Sequence, residues 1–135
     1  MIHLTPEQHV FVTERHLATL TTLRPDGTPH VVPVGFTWDD SAGVLRITTN
    51  VTSVKARNLA AGGPGGVPAR AAVCQVDGGR WITLEGPTTV VDDPEEIAEA
   101  VRRYGVRYRT LEPNPQRVVL RMEVDKVMSS AYMAR

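Results

Sequence analysis

Six polar residues close together in the chain, Thr48, Thr49, Asn50, Thr52, Ser53 and Lys55, form its densest concentration of ligand-binding chemistry. Hydroxyls and a side-chain amide donate hydrogen bonds to phosphate oxygens, and a lysine adds a full positive charge. These residues lie where a β-branched stretch, GVLRITTN, runs into a helix that begins near Ser53. A helix start exposes unpaired N–H groups and the positive end of its dipole, so the junction suits an anion. It is not a Walker loop, because no G-x-x-x-x-G-K-[ST] occurs. An ordinary capped helix with a solvated lysine uses the same residue types, and both readings stand at this stage.

Other clusters carry less. Arg102, Arg103, Arg107, Arg109 and Arg117 form either a solvated helix face with its loop or a receiver for an anionic ligand. Trp81 follows a tight turn and suits a core edge, a dimer contact or a wall for a planar ring. His3, His9, His16 and His30 show no H-x-H or H-E-x-x-H spacing, so no metal site is expected. No G-x-S-x-G elbow supports hydrolysis, and Asp39-Asp40 and Asp92-Asp93 read as turn and cap residues. The glycine-rich stretch 62–70 lacks a following Lys-Ser/Thr pair and reads as a flexible loop.

Fifteen Lys+Arg balance fifteen Asp+Glu, which argues against a nucleic-acid partner. The N-terminus lacks the basic-then-apolar pattern of a signal peptide, and no run approaches a membrane span. With the single Cys74 set in an apolar run, the expectation is a cytoplasmic protein without membrane contact.

The elements that must position these residues are mostly strands. Thr5-Pro6-Glu7-Gln8 is a capping box with proline at the first helical position, so a short helix should end near Glu14. LATLTTL alternates as a strand, Pro25-Asp26-Gly27-Thr28 turns the chain, and residues 30–38 return as its hairpin partner. Residues 44–49 form the next strand, ahead of the Ser53 helix, and strands at 71–76 and 80–91 meet at Asp77-Gly78-Gly79. Asp93-Pro94-Glu95-Glu96 caps another helix, with Ile97, Val101, Tyr104 and Tyr108 on one face and Arg102, Arg103 and Arg107 elsewhere. RVVLRMEV closes the chain's β content, with Val118, Leu120, Met122 and Val124 inward. About six antiparallel strands with short peripheral helices make a mainly β, small-barrel domain spanning 1–135. No G-x-G-x-x-G or strand–helix alternation supports a Rossmann sheet.

Placed on these elements, PDGTPHVVPVGF, TTNVTSVKARNL and RWITLEG resemble the flavin-binding split-barrel family related to pyridoxamine-phosphate oxidase. The resemblance implies a split β-barrel, a homodimer, and a cofactor phosphate near Thr49, Asn50, Ser53 and Lys55. Val54, His30 and Gly35 stand where the FMN oxidases of that family carry cations, changes that its actinobacterial branch using the deazaflavin coenzyme F-420 tolerates. Within that branch, ERHLATLTTLRPDGTPHVVPVGF, QVDGGRWITLEG and RYRTLEPNPQRVVL are similar to F-420-dependent biliverdin reductases.

The likeness implies an oxidoreductase that transfers hydride to a conjugated small molecule, biliverdin to bilirubin foremost. The alternatives are an FMN- or haem-related binding module, a flavin oxidase, or an F-420-dependent reductase of another substrate. It further implies a cofactor set of His30, Val32, Pro33, Val34, Thr48, Thr49, Asn50, Ser53, Lys55 and Asn58, with Gln75, Arg80 and Trp81 reaching across the dimer. Arg103 and Arg107 would receive the substrate's carboxylates. His30 and solvent both remain as proton source.

Overall fold

A computed structural model describes residues 1–135. Helix α1 (Pro6–Thr13) is closed by the Thr5–Gln8 capping box, and the Thr5 hydroxyl also donates to the Met133 carbonyl, tying the two chain ends together. Strands β1 (Ala18–Leu23), β2 (Pro29–Val34), β3 (Thr37–Asp39) and β4 (Val44–Asn50) lead to α2 (Val54–Ala60). Then come β5 (Ala69–Asp77), β6 (Arg80–Val91), α3 (Pro94–Arg107), β7 (Arg117–Glu123) and β8 (Lys126–Ser129). No helix is long and apolar enough to cross a membrane.

All pairings are antiparallel, in the order β2-β1-β5-β6-β7-β4-β3, and β8 adds to β6. The sheet curls without closing, which leaves β2 and β3 as free edges. Pro33, which has no N–H to donate, fits on the edge strand β2. The long β6 changes partner along one edge. Residues 82–85 pair with β8, and residues 88–91 pair with β7. Gly86 sits at the switch, where a Cβ would lie 2.0 Å from the Glu123 carbonyl oxygen, so only glycine lets the strands pass.

One continuous core fills the curled sheet. It takes Phe11 and Val12 from α1, Ala56 and Leu59 from α2, and inward residues such as Leu20, Leu45, Leu84 and Leu120 from the strands. Val119 points the other way and is also fully buried, on the face where α3 lies against β4 and β7.

The chain has eight strands rather than about six, because β8 was not expected and the hairpin partner is split in two. The expected strand 30–38 breaks at Gly35-Phe36, because the Phe36 N–H donates to the Tyr108 hydroxyl (3.3 Å) instead of to a neighbouring strand. Gly35 itself lies under the rings of Tyr104 and Tyr108, and a Cβ there would come within 3.0 Å of both. Stretch 62–70 holds a 3₁₀ turn at Pro64–Gly66 and then joins β5 at Ala69. The Gly63 N–H donates to the Val67 carbonyl (2.7 Å), closing that turn.

Candidate functional site

The β4–α2 junction forms where the sequence places it. Ser53 caps α2, its Oγ accepting from the Ala56 N–H (3.2 Å) and from the Thr49 hydroxyl (3.1 Å). With both acceptor positions filled, the Ser53 proton is left to donate outward. Lys55, half-buried, joins none of the chain's ion pairs, and burial alone pushes its ammonium below the usual lysine range. A partly desolvated cation with no counter-ion is costly unless a ligand supplies the anion.

Thr48, Thr49 and Asn50 open into a cavity of about 340 Å³. Pro33, Val34 and Gly35 of the edge strand and its end form one wall, and Tyr104, Leu111, Asn114 and Arg117 form another. No Asp or Glu lines it. The Asn114 amide donates to Asn50 Oδ1 (2.6 Å), which clips the loop before β7 onto the end of β4.

His30 pairs with Thr22 across β1–β2, and its Nδ1 is buried with no hydrogen-bond partner. Val32 packs against the core on the same side. Asn58 is buried on α2, donates to the Thr22 hydroxyl (3.0 Å), and faces a separate cleft beside stretch 62–70. Of the expected cofactor set, Pro33, Val34, Thr48, Thr49 and Asn50 share the cavity, and Ser53 joins them through Thr49, whereas His30, Val32 and Lys55 do not line it.

Five other expected site residues lie elsewhere. Gln75 is completely buried and committed to the chain itself, donating to the Phe11 carbonyl (2.8 Å) and accepting from Arg107 (2.6 Å). Arg107 is half-buried and spends its donors on the protein. Its guanidinium donates to the carbonyls of Glu14 (2.9 Å), Phe36 (2.5 Å) and His16 (3.4 Å), and stacks on Phe36 and Tyr108 at 4.5 and 4.9 Å. Arg103 bonds Glu99 (2.7 Å) and the Trp38 carbonyl (3.2 Å). Both arginines are hydrogen-bonded within the protein where α3 packs back on the barrel, and both also line a cleft with His9, Trp38 and Arg102, away from the cavity at Thr48–Asn50.

Arg80 is held by Glu14 at 2.9–3.0 Å and by Asp77 at 2.5 Å, and these carboxylates raise its pKa above the usual value. The same guanidinium sits within the Glu14–His16–Asp77 group, the one cluster whose donor atoms are close enough to share a cation. Trp81 lies on the outer face of β6 beside Val76, well exposed at 37%.

Tyr104, Leu111, Asn114 and Arg117 are cavity residues that sequence reasoning did not assign to the cofactor or substrate. Tyr104 was legible only as part of an apolar helix face, and Arg117 only as one of five arginines.

Residues 4–130 match the pyridoxamine 5'-phosphate oxidase family. The F420H(2)-dependent biliverdin reductase of Mycobacterium tuberculosis (strain CDC 1551 / Oshkosh) is 44% identical over 128 residues, covering 95% of this chain and 89% of that protein. Among solved structures, an F420 reductase superposes with a TM-score of 0.69 at 26% identity, covering 89% of this chain and 94% of its own. A conserved hypothetical protein of M. tuberculosis shares the fold with a TM-score of 0.76 at 23% identity, over 96% of this chain and 86% of that one. With the family match running from before α1 to beyond β8, the chain belongs to the pyridoxamine 5'-phosphate oxidase family.

Proposed function

We propose that this protein is an oxidoreductase that holds the reduced deazaflavin coenzyme F-420 at the β2–β4–α2 cleft and passes hydride to a conjugated acceptor, biliverdin foremost. The observation that carries the reading is Lys55, a half-buried cation without a counter-ion at the end of a hydroxyl-lined segment. The orphaned His30 Nδ1 is a second group awaiting a partner. The 44% identity to a biliverdin reductase named for this coenzyme favours F-420 over FMN.

Lys55 and the Ser53 hydroxyl hold the phosphate, the lysine by charge and the serine by direction. Pro33 and Val34 offer an apolar wall for the flat ring, and the Tyr104 and Leu111 side limits access of water. When bound, the coenzyme supplies the hydride; the chain's own contribution is to orient two planar systems. The partner copy completes the cleft in a homodimer, with Trp81 at the interface.

Titration of the purified protein with F-420, and separately with FMN, tests the reading by coenzyme fluorescence. Micromolar or tighter F-420 binding with weak FMN binding is the expected result. A preference for FMN overturns it in favour of a flavin oxidase or binding module on the same fold.

A further inference from the structure

Arg117 opens β7 directly opposite Asn50 of β4, and its side chain lines the cavity. It takes part in none of the chain's ion pairs, and its one side-chain hydrogen bond within the protein runs to the Glu112 carbonyl (2.8 Å). A guanidinium carries five N–H donors, so most of this one is uncommitted. Its backbone is nevertheless fixed: the Arg117 N–H donates to the Asn114 carbonyl (3.1 Å), and Asn114 is clipped to Asn50. Its neighbours of like charge are quenched. Arg102 and Arg103 pair with Glu99, Arg107 serves carbonyls and Gln75, and Arg109 lines a different cleft. Tyr104, on the same cavity wall, makes no hydrogen bond through its hydroxyl and turns an aromatic ring toward the space.

We propose that Arg117 is the carboxylate receiver of this cleft, so that the acceptor is a planar conjugated acid whose ring system lies along Tyr104. The inference deepens the reading above and assigns the substrate's anionic end to Arg117 instead of Arg103 and Arg107. A fixed, planar donor fork with no carboxylate of its own matches a carboxylate bidentately. An acid-free cavity wall leaves no competing negative charge. Lys55 lies on α2 and does not line the cavity that Arg117 lines, so phosphate and carboxylate have separate cations.

The test compares biliverdin with its dimethyl ester. The wild-type protein should favour the diacid. Arg117→Gln should raise KM for the diacid about 10- to 100-fold with little change in kcat, leave the diester's KM unmoved, and leave the F-420 dissociation constant within about twofold. Arg117→Lys should recover part of the loss, and Arg109→Gln should behave as wild type.

Equal treatment of diacid and diester by the wild-type protein overturns the proposal. So does an Arg117→Gln variant that weakens F-420 binding in parallel, because the arginine then faces the coenzyme. Binding of both tetrapyrroles to coenzyme-free protein, followed by tryptophan quenching, separates the two readings. If F-420 fails to bind at all, the hydride-transfer reading falls, while the diacid–diester difference still decides Arg117.

Discussion

Lys55 is a residue whose environment makes sense for binding better than for folding. Burial without a counter-ion destabilises its charged form, so the fold gains nothing from the ammonium. Lys55→Ala should therefore weaken F-420 binding about 10- to 100-fold while thermal stability stays level or rises. A variant that melts earlier and binds normally would show the lysine to be structural. The protonated form is the one that binds an anion, and burial lowers its pKa from the ordinary 10.5. Coenzyme affinity should accordingly fall as pH rises through that lowered value, and Lys55→Arg should remove the decline.

Other single residues divide sharply by legibility. The Ser53 cap and the Thr49–Ser53 contact involve neighbours in sequence, and local residue types were enough to read them. Arg107 bonds partners 32, 71 and 93 positions away, and no local pattern distinguishes it from Arg102 on the same helix.

Among elements, α3 decides the shape of the cleft, because it carries Tyr104 over Gly35. Its start is clamped by Arg46, which is only 6% exposed and bonds Glu96 on the helix and Asp39 at the end of β3, both at 2.9 Å. Burial alone would raise the Asp39 carboxyl. Hydrogen bonds from Arg46 and Ser41, with the nearby Arg103 charge, outweigh it and hold the group at about 2 against an ordinary 3.8.

A depressed carboxylate stabilises the fold above its unfolded pKa, and that stabilisation is lost as pH falls through the folded one. Asp39 thus contributes about 2 kcal/mol at neutral pH. Urea midpoints should drop as pH falls from 3.8 toward about 2, and Asp39→Asn should remove that part of the slope. An unchanged acid profile in Asp39→Asn would deny the clamp this role. The sequence marked Asp39 as a turn residue, and it is one: Oδ1 accepts from the Ser41 and Ala42 N–H groups. Its second oxygen has a partner seven residues on, set by the β3–β4 register.

At the scale of the whole molecule, the outer face of the sheet carries an uncharged row across five strands. Pro33, Thr19, Cys74, Thr83 and Met128 are successive cross-strand partners, flanked by exposed Val31, Val76 and Trp81. An uncharged row of this kind, with the Glu85–Lys126 pair at one margin, suits burial against a second copy. The protein should therefore elute near twice its 14.8 kDa chain mass, at about 30 kDa. Trp81→Glu should shift it toward the monomer and weaken coenzyme binding with it; a wild-type monomer that binds F-420 fully would remove the need for a partner.

By itself the sequence determined the three helix starts, the β periodicity, the Asp77-Gly78-Gly79 hairpin and the polar segment that ends at Lys55. Each depends on caps, turn residues or alternation within a few positions, where backbone sterics and near-neighbour hydrogen bonds act. Only the tertiary structure decided the break at Gly35, the burial of Gln75, and which arginines remain free. Those outcomes rest on partners that lie dozens of residues apart until the sheet curls and α3 folds onto it, because a charged side chain takes its acceptors from whatever the topology brings within about 3 Å.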